Sequence, residues 1–216
     1  MMKQLTLLVA LIMAAGLVKA QDEYYNDEVQ TIFSKSKSNG GYGAFSMAYS
    51  QIGGRDALVS GARGAFIFDH SFAIGLGGYG FVNNLDYHSY NQINPEEKFM
   101  LAGGYGGIFV EPILAGTKPV HLSFPILLGM GGVALVDNYG WGWDWDIDPY
   151  HSGYEYDHDL FFVVEPAVEL EFNLARFFRT ALYASYRFTS NIKLYETEND
   201  VLRGFNFGAT FKFGKF

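Results

Sequence analysis

The sequence contains no cysteine, so disulfides and thiolate chemistry are excluded from any account of this chain. Positive charge is scarce, because 15 Lys and Arg stand against 23 Asp and Glu, which gives a formal net charge of −8. This balance argues against nucleic acid as a partner, since phosphate recognition needs a basic surface. Helical periodicity is hard to find, and no linker or low-complexity block divides the 216 residues. We therefore expect one domain of β-structure.

The N-terminus has the pattern of a secretory signal peptide. A basic start at Lys3 precedes an apolar run over 5–18, and Val18-Lys19-Ala20 places small residues at the third and first positions before the expected cut. The run is shorter than the ~20 residues of a spanning helix, and no cysteine follows it to carry a lipid anchor. We expect cleavage after Ala20, which changes the formal charge from −8 to −10.

The C-terminal segment alternates aromatic and small or polar residues, with Phe205, Phe207, Phe211 and Phe213 on one face. Successive strand residues point to opposite faces, so this segment carries a row of rings on one side. In an exported chain the pattern is typical of an outer-membrane barrel, whose apolar face contacts lipid. The same alternation predicts eight strands near residues 42–52, 57–69, 71–83, 98–112, 119–136, 160–174, 178–190 and 202–216.

These strands predict an all-β fold, an eight-stranded antiparallel up-and-down transmembrane β-barrel over residues 41–216. A signal peptide over 1–20 and a periplasmic N-terminal segment over 21–40 precede it. An even strand count returns both termini to one side, with short turns on that side and long loops on the other. The long polar loops, at 84–97, 137–159 and 191–201, are therefore expected outside the cell, with both termini in the periplasm.

Charged residues identify the inward face of the predicted strands. Glu165, Glu169 and Glu171 share a face of the sixth strand, and Arg179 and Arg187 share a face of the seventh. Carboxylates facing hydrocarbon carry a large penalty, so these side chains must point inward, where arginines on the adjacent strand can pair with them. We predict an interior charge network formed by Arg63, Glu165, Glu169, Glu171, Arg179, Arg187 and Lys212.

The interior of an eight-stranded barrel is only wide enough for its own side chains. We therefore interpret the network as a structural plug and not as a channel. The fourth strand is ambiguous, because Tyr105 and Phe109 share a face with Glu111 while Ile108 and Val110 share the other. Placing Glu111 inside is the less costly choice.

The loop over 137–159 is rich in aromatic and acidic residues and contains no Lys or Arg. It suits either a sugar-binding or protein-binding surface, or an interfacial girdle whose acids meet cations that bridge surface lipid. Asp144, Asp146 and Asp148 begin like a calcium loop, but Pro149 stands where that loop needs glycine. We predict no metal site and no cofactor. The candidate surface-binding residues are Trp141, Trp143, Trp145, Tyr150, Tyr154 and Tyr156.

Two other functions remain open from the residues alone. A lipid hydrolase or acyltransferase would need a nucleophile and a base together, and His88-Ser89 and His121 with Ser123 offer those types. Adjacent strand residues face apart, and the second pair lies near the periplasmic end, so we predict a protein that is not an enzyme. A soluble lipocalin-like carrier of an apolar ligand is the other alternative, and it requires the aromatic row to point inward.

Five segments together resemble small outer-membrane β-barrel proteins of the Bacteroidota kind: SNGGYG at 38–43, GGYGF at 77–81, HLSFP at 121–125, VEP at 164–166 and FKFGKF at 211–216. The resemblance runs from about residue 30 to the end. It implies location and fold, and it carries over no catalytic residue. A broader likeness to OmpA-like and OmpX-like barrels implies structural, adhesive or immune-evasion roles through external loops.

We therefore predict an outer-membrane barrel with a filled interior and with surface loops that serve structural, shielding or adhesive roles. Expected partners are outer-membrane lipid and lipopolysaccharide, periplasmic chaperones and barrel assembly machinery, and an extracellular ligand or host protein at the loop over 137–159. We expect a monomer. One detail departs from the usual ending of such barrels, because Phe216 shares a face with Lys212 and Gly214 and not with the aromatic row. Either a bulge at Gly214 turns Phe216 outward, or the assembly machinery reads a different ending.

Overall fold

The computed structural model describes residues 39–83, 87–88, 98–137, 155–194 and 197–216. The expected signal peptide, almost all of the segment over 21–40, and most of the loops over 84–97 and 137–159 lie outside the described residues. In the part of the chain that is described, no helix is long and apolar enough to cross a membrane.

The described chain folds into one antiparallel sheet whose strands follow the alternating segments of the sequence. The strands are β1 (Asn39–Ile52), β2 (Arg55–Phe68), β3 (Phe72–Asn83), β4 (Tyr87–His88), β5 (Lys98–Leu114), β6 (Val120–Ser123), β7 (Ile126–Asp137), β8 (Glu155–Ala175), β9 (Phe178–Thr189) and β10 (Gly204–Lys215).

The sheet closes into a ring of eight wall positions. Each wall position pairs with the next one along the chain, and β1 pairs with β10 from Gly41↔Lys215 to Ser50↔Asn206, which joins the first strand to the last. Strands β6 and β7 share one position, interrupted at Phe124 and Pro125, and both pair with β5 and β8. The two-residue β4 pairs with β5 beyond the end of β3. The predicted eight-stranded antiparallel barrel is confirmed.

Short turns join the strands at the end of the barrel where β1 begins and β10 ends. We call this the turn end and the opposite end the loop end. At the turn end, Asp69 and His70 adopt positive φ angles of 49° and 54° and connect β2 to β3. At the loop end, Gly53 and Gly54 have φ angles of 64° and 72°, as a two-residue hairpin between twisted strands requires. A tight hairpin thus joins the first two strands at this end.

Large apolar side chains project outward from all eight wall positions. On β10 the predicted aromatic row is outside, with Phe205, Phe207 and Phe213 exposed by 59%, 55% and 53%. The other positions contribute Phe45, Phe66, Leu76, Ile108, Leu122, Met130, Phe162 and Leu182. Soluble monomers rarely expose apolar patches of this extent. The soluble carrier alternative needed an inward aromatic row, and the structure has that row on the outside.

Inward-facing glycines make room for aromatic rings inside the barrel. A Cβ atom at Gly61 would lie 2.3 Å from the Tyr79 ring, and one at Gly131 would lie 2.7 Å from the Phe161 ring. These separations are far below ordinary contact between carbon atoms. These two glycines therefore serve the packing of large side chains in a narrow interior.

The connection from β9 to β10 differs from the polar loop expected over 191–201. Its apolar side chains Ile192, Leu194, Val201 and Leu202 are all buried and pack with the interior residues at the loop end. Further out, Asp159 accepts the backbone N–H of Lys193 at 2.6 Å and of Leu160 at 2.8 Å. These hydrogen bonds favour the charged carboxylate and lower the pKa of Asp159. The connection forms an apolar cover over the barrel.

The last residue, Phe216, packs on the inside of the barrel. The β1–β10 ladder runs without a shift through Tyr42↔Gly214, so no bulge turns the chain. The Phe216 ring stacks on Tyr42 with a centroid distance of 6.0 Å, and the Arg179 Cζ lies 4.0 Å from its centroid. Of the two expected explanations for this ending, the bulge at Gly214 is therefore wrong.

A side chain added at Gly103 tests the glycine packing. The Cβ of Gly103→Ala would lie 2.4 Å from the Gly132 carbonyl oxygen and 2.6 Å from the Phe81 ring. We expect overpacking to lower the free energy of unfolding by about 1–3 kcal/mol, measured by urea unfolding in detergent. The matched control is Gly43→Ala, because a Cβ at Gly43 meets nothing within 4 Å. Equal stability of the two variants would contradict this account.

Candidate functional site

Three buried glutamates surround one lysine inside the turn-end half of the barrel. Lys212 of β10 places its Nζ atom 2.5 Å from Glu111 Oε1, 2.6 Å from Glu171 Oε1 and 2.8 Å from Glu169 Oε2. The ammonium donates hydrogen bonds to Glu111 and Glu171, and its contact with Glu169 is an ion pair. The three carboxylates lie close enough together to hold a metal ion. The lysine ammonium supplies the positive charge there instead.

Arg63 reaches the same carboxylates from β2. Its Nη2 atom lies 2.8 Å and 2.7 Å from the two oxygens of Glu169 and 3.9 Å from Glu111 Oε1. Tyr42 adds a hydrogen bond to Glu111 Oε2. We call Arg63, Glu111, Glu169, Glu171 and Lys212 the lower cluster. Its members come from β2, β5, β8 and β10, so it links opposite sides of the barrel.

The turn end of the lower cluster is closed by Arg179 and His121. Arg179 Nη1 lies 3.6 Å from Glu171 Oε2, and its Nη2 donates to the Gly116 carbonyl at 3.2 Å. His121 Nε2 lies 3.1 Å from the same Glu171 oxygen. Because the Phe216 ring lies against the Arg179 guanidinium, it covers this end of the network.

A second set of polar residues, nearer the loop end, surrounds Glu165. The carboxylate of Glu165 accepts hydrogen bonds from Tyr105 Oη at 2.6 Å, Ser185 Oγ at 2.6 Å and Asn206 Nδ2 at 2.9 Å. We call these four residues the upper cluster. All its donors to Glu165 are neutral, whereas every carboxylate of the lower cluster meets a cation.

Arg187 connects the upper cluster to the cover at the loop end. Its Nε atom donates to the Leu202 carbonyl at 2.7 Å. Its Cζ atom lies 5.4 Å from the Phe81 ring centroid and 5.7 Å from that of Tyr105. These distances allow cation–π attraction in a desolvated site. The β9–β10 connection is therefore held both by apolar burial and by a buried guanidinium.

The structure places all seven residues of the predicted interior network inside the barrel, each no more than 8% exposed. It brings Arg63, Glu169, Glu171, Arg179 and Lys212 into direct ion pairs. Glu165 and Arg187 stand apart from these pairs. Pairing between neighbouring strands was expected, but it describes only Glu171 with Arg179. The principal partners of Glu169 reach it from β2 and β10.

Sequence reasoning did not include Glu111, Tyr42, Tyr105 or Ser123 in the network. Glu111 was expected to face inward, but no spacing along the chain shows that it meets Lys212, 101 residues later. The tyrosines gave no signal, because aromatic residues occur on both faces of the wall. Of the candidate surface-binding residues, Trp141, Trp143, Trp145, Tyr150 and Tyr154 lie outside the described residues. Tyr156 lies at the loop end of β8.

The His121 and Ser123 pair considered for catalysis is not arranged as a base with its nucleophile. Both side chains are buried and both bind Glu171, with Ser123 Oγ donating to Oε1 at 2.5 Å and His121 Nε2 lying 3.1 Å from Oε2. The carboxylate therefore separates the hydroxyl from the imidazole. Nucleophilic catalysis needs these two groups in hydrogen-bond contact. The other pair, His88 with Ser89, has no described side chains.

The fold is similar to that of solved bacterial surface and outer-membrane proteins. Neisserial surface protein A superposes with a TM-score of 0.50 at 11% identity, over 82% of this chain and 97% of that one. The N-terminal β-barrel domain of Pseudomonas aeruginosa OprF gives 0.46 at 9%, over 82% and 96%. The attachment invasion locus protein Ail of Yersinia pestis gives 0.45 at 9%, over 82% and 97%. Of these three, the Neisserial protein supports the shared fold.

No protein-family model matches the sequence, and comparison with curated proteins finds no significant match. The structural similarity therefore concerns the barrel alone.

Removal of the buried ammonium tests the lower cluster. In Lys212→Met three carboxylates remain with two arginines, so a buried negative charge is left unbalanced. Breaking a buried ion pair in this way typically costs about 3–5 kcal/mol, which urea unfolding in detergent would measure. The matched control is Lys215→Met, because Lys215 lies on the same strand and is exposed, where substitutions stay within about 0.5 kcal/mol. A Lys212 variant as stable as the control would contradict the account.

Proposed function

We propose that this chain is an outer-membrane β-barrel protein that acts at the cell surface through its long connections, with an interior that is closed to solutes. The observation that carries the proposal is the apolar belt around all eight wall positions combined with a charged interior. Contact with lipid hydrocarbon explains the apolar belt. It also explains why the charged side chains lie inside the barrel, because charges facing hydrocarbon are costly. The similarity to the Neisserial barrel supports the fold on which this rests.

The lengths of the connections support the proposed orientation. The turn end carries three short turns, the start of β1 and the end of β10, and the loop end carries the three longer connections together with the Gly53–Gly54 hairpin. Outer-membrane barrels have short periplasmic turns and longer extracellular loops. In the proposed orientation the N-terminal segment and Phe216 lie in the periplasm. The connections after β4, β7 and β9 lie outside the cell.

The interior is proposed to be a plug. Ion pairs link the β2, β5, β8 and β10 sides of the barrel, and the β9–β10 connection covers the loop end with buried apolar side chains. A permeating ion would have to separate buried pairs whose charges already satisfy one another. The network therefore contributes to the stability of the wall and not to transport.

Surface binding is assigned to the connection between β7 and β8. It leaves β7 after Asp137 and returns at Glu155, and its sequence combines three tryptophans with several carboxylates. Aromatic faces supply apolar contact and carboxylates accept hydrogen bonds, which suits a sugar or an extracellular protein. In a structural or shielding role, the same connection would contact lipid and lipopolysaccharide. The barrel acts as a scaffold that holds this connection at the surface.

Membrane location and closure are tested on the intact chain in a Gram-negative host. We expect recovery in the outer-membrane fraction, with migration on a detergent gel that changes on heating. In planar bilayers the purified barrel is expected to show no conductance above the background, because its interior is filled. Recovery in the soluble periplasm would contradict the membrane location. Stable current steps would contradict the plug while leaving the location intact.

The surface role is tested by replacing residues 139–153 with a short glycine linker, which spares β7 and β8. We expect the barrel to keep its heat-modifiable migration and the cells to lose adhesion to a panel of glycans and host-matrix proteins. Replacing residues 89–95 in the connection between β4 and β5 with the same linker is the matched control, and it should retain adhesion. Unchanged adhesion in the first variant would exclude a binding role for this connection and favour the interfacial girdle.

A further inference from the structure

A small cavity lies inside the barrel between the upper and lower clusters. Its volume is about 20 Å³. A cavity of at least about 10–15 Å³ holds one water molecule if it offers two to four polar partners. The lining is mixed, with apolar surface from Leu127 and Ala167 and polar groups from Arg63, Glu165 and Tyr183. The remaining lining residues are Tyr79, Phe109, Pro125 and Glu169.

One hydrogen-bond donor at this cavity has no acceptor among the described protein atoms. Arg63 is buried, and its Nη2 atom is bound to Glu169, but its Nε–H is without a hydrogen-bond partner. Buried donors in folded proteins are almost always paired, because an unpaired one loses its hydration without compensation. We therefore expect a hydrogen-bond acceptor for the Arg63 Nε–H within the cavity.

The two carboxylates of the cavity differ in their capacity to accept a further hydrogen bond. Both oxygens of Glu169 already have at least two partners among Arg63, Ser123, Thr210 and Lys212. In Glu165, Oε1 accepts from Ser185 and Asn206, whereas Oε2 accepts only from Tyr105 in the hydrogen bonds described above. A carboxylate oxygen can accept two hydrogen bonds. Glu165 Oε2 thus retains one acceptor position.

We propose that this cavity binds one water molecule, which accepts a hydrogen bond from Arg63 Nε and donates one to Glu165 Oε2. Its second hydrogen is donated to a tyrosine hydroxyl of the lining, which gives the three hydrogen bonds typical of buried water. The water makes a mediated ion pair between Arg63 and Glu165. It therefore gives Glu165 a cationic partner.

Charge balance selects water over an ion. The interior carboxylates described above are Glu111, Glu165, Glu169 and Glu171, and four cations, Arg63, Arg179, Arg187 and Lys212, are buried with them. A bound cation or anion would upset this equality in a medium of low dielectric constant, where an unbalanced charge is costly. A neutral molecule that both donates and accepts satisfies the unpaired groups without that cost.

The bound water has a structural consequence for the network. It joins the upper cluster, which contains only neutral donors around Glu165, to the lower cluster of direct ion pairs. A continuous set of hydrogen bonds then extends from Asn206 and Ser185 through the water to Arg63 and on to Lys212. Both clusters form one polar column inside the wall.

The test is a crystal structure of the detergent-solubilised protein at a resolution that shows ordered water, together with magnetic relaxation dispersion of water oxygen-17 in solution. We expect a solvent peak within about 3.2 Å of Arg63 Nε. The relaxation signal should include this molecule as a water of long residence. A wild-type structure without such a peak would overturn the proposal. So would a peak that gains anomalous signal in crystals grown with rubidium chloride, because that result identifies a cation.

A pair of valine variants links the signal to this cavity. Ala167→Val adds two methyl groups at the lining and should remove the peak and one long-lived water from the relaxation signal. Ala184→Val is the matched control, since Ala184 pairs with Val168 on the neighbouring strand and faces outward. It should leave both signals unchanged. Loss of the long-lived water in both variants, or in neither, would count against the assignment of the water to this cavity. If Ala167→Val folds poorly, the crystal structure of the wild-type protein still decides whether the water is present.

Discussion

The contact of Lys212 with Glu111, Glu169 and Glu171 is the constraint on which the structure depends. Three carboxylates in one buried layer would repel one another and forfeit their hydration, so the layer exists only if a cation reaches its centre. That cation is carried by the last strand, whereas the carboxylates belong to β5 and β8. The ring must therefore close, with β10 paired to β1, before the charges inside it are balanced.

The outward apolar belt and the inward charges arise from the same alternation, which explains how much the sequence could predict. The alternation of apolar and polar side chains along each strand identified the eight strands, the aromatic row of β10 and the inward face of Glu169 and Arg179. Partners across the barrel could not be predicted, because the meeting of Arg63 with Glu169 depends on strand stagger and on closure. The loop over 191–201 was expected to be polar, since Ile192, Leu194 and Val201 stand among polar and charged residues there, and Leu202 was counted with the last strand. The alternation put Phe216 on the face of Lys212, where it lies, but a bulge that would turn it outward was left open, and its contact with Arg179 had no local signal.

The two ends of the interior are closed by different interactions, apolar burial at the loop end and ion pairs at the turn end. At the loop end, Ile192 and Leu202 bury apolar surface beneath the β9–β10 connection, and Arg187 is held there by a backbone carbonyl and two aromatic rings. At the turn end, charges pair directly and the terminal ring covers them. Between these ends, the upper cluster surrounds Glu165 with neutral donors. Over the described residues, the interior is therefore filled by paired charges at the turn end and by packed apolar side chains at the loop end.

The glycines that lie against aromatic rings inside the wall limit how the sequence can change during evolution. A Cβ at Gly61 or Gly131 would meet a ring, Tyr79 or Phe161, and also a backbone carbonyl oxygen at 2.4 Å. A smaller ring opposite would therefore not make room for a larger residue, and homologues that have drifted beyond recognition in overall identity should keep glycine at these positions. Such retained glycines, spaced across neighbouring strands, form an evolutionary signature by which distant members of this lineage could be recognised.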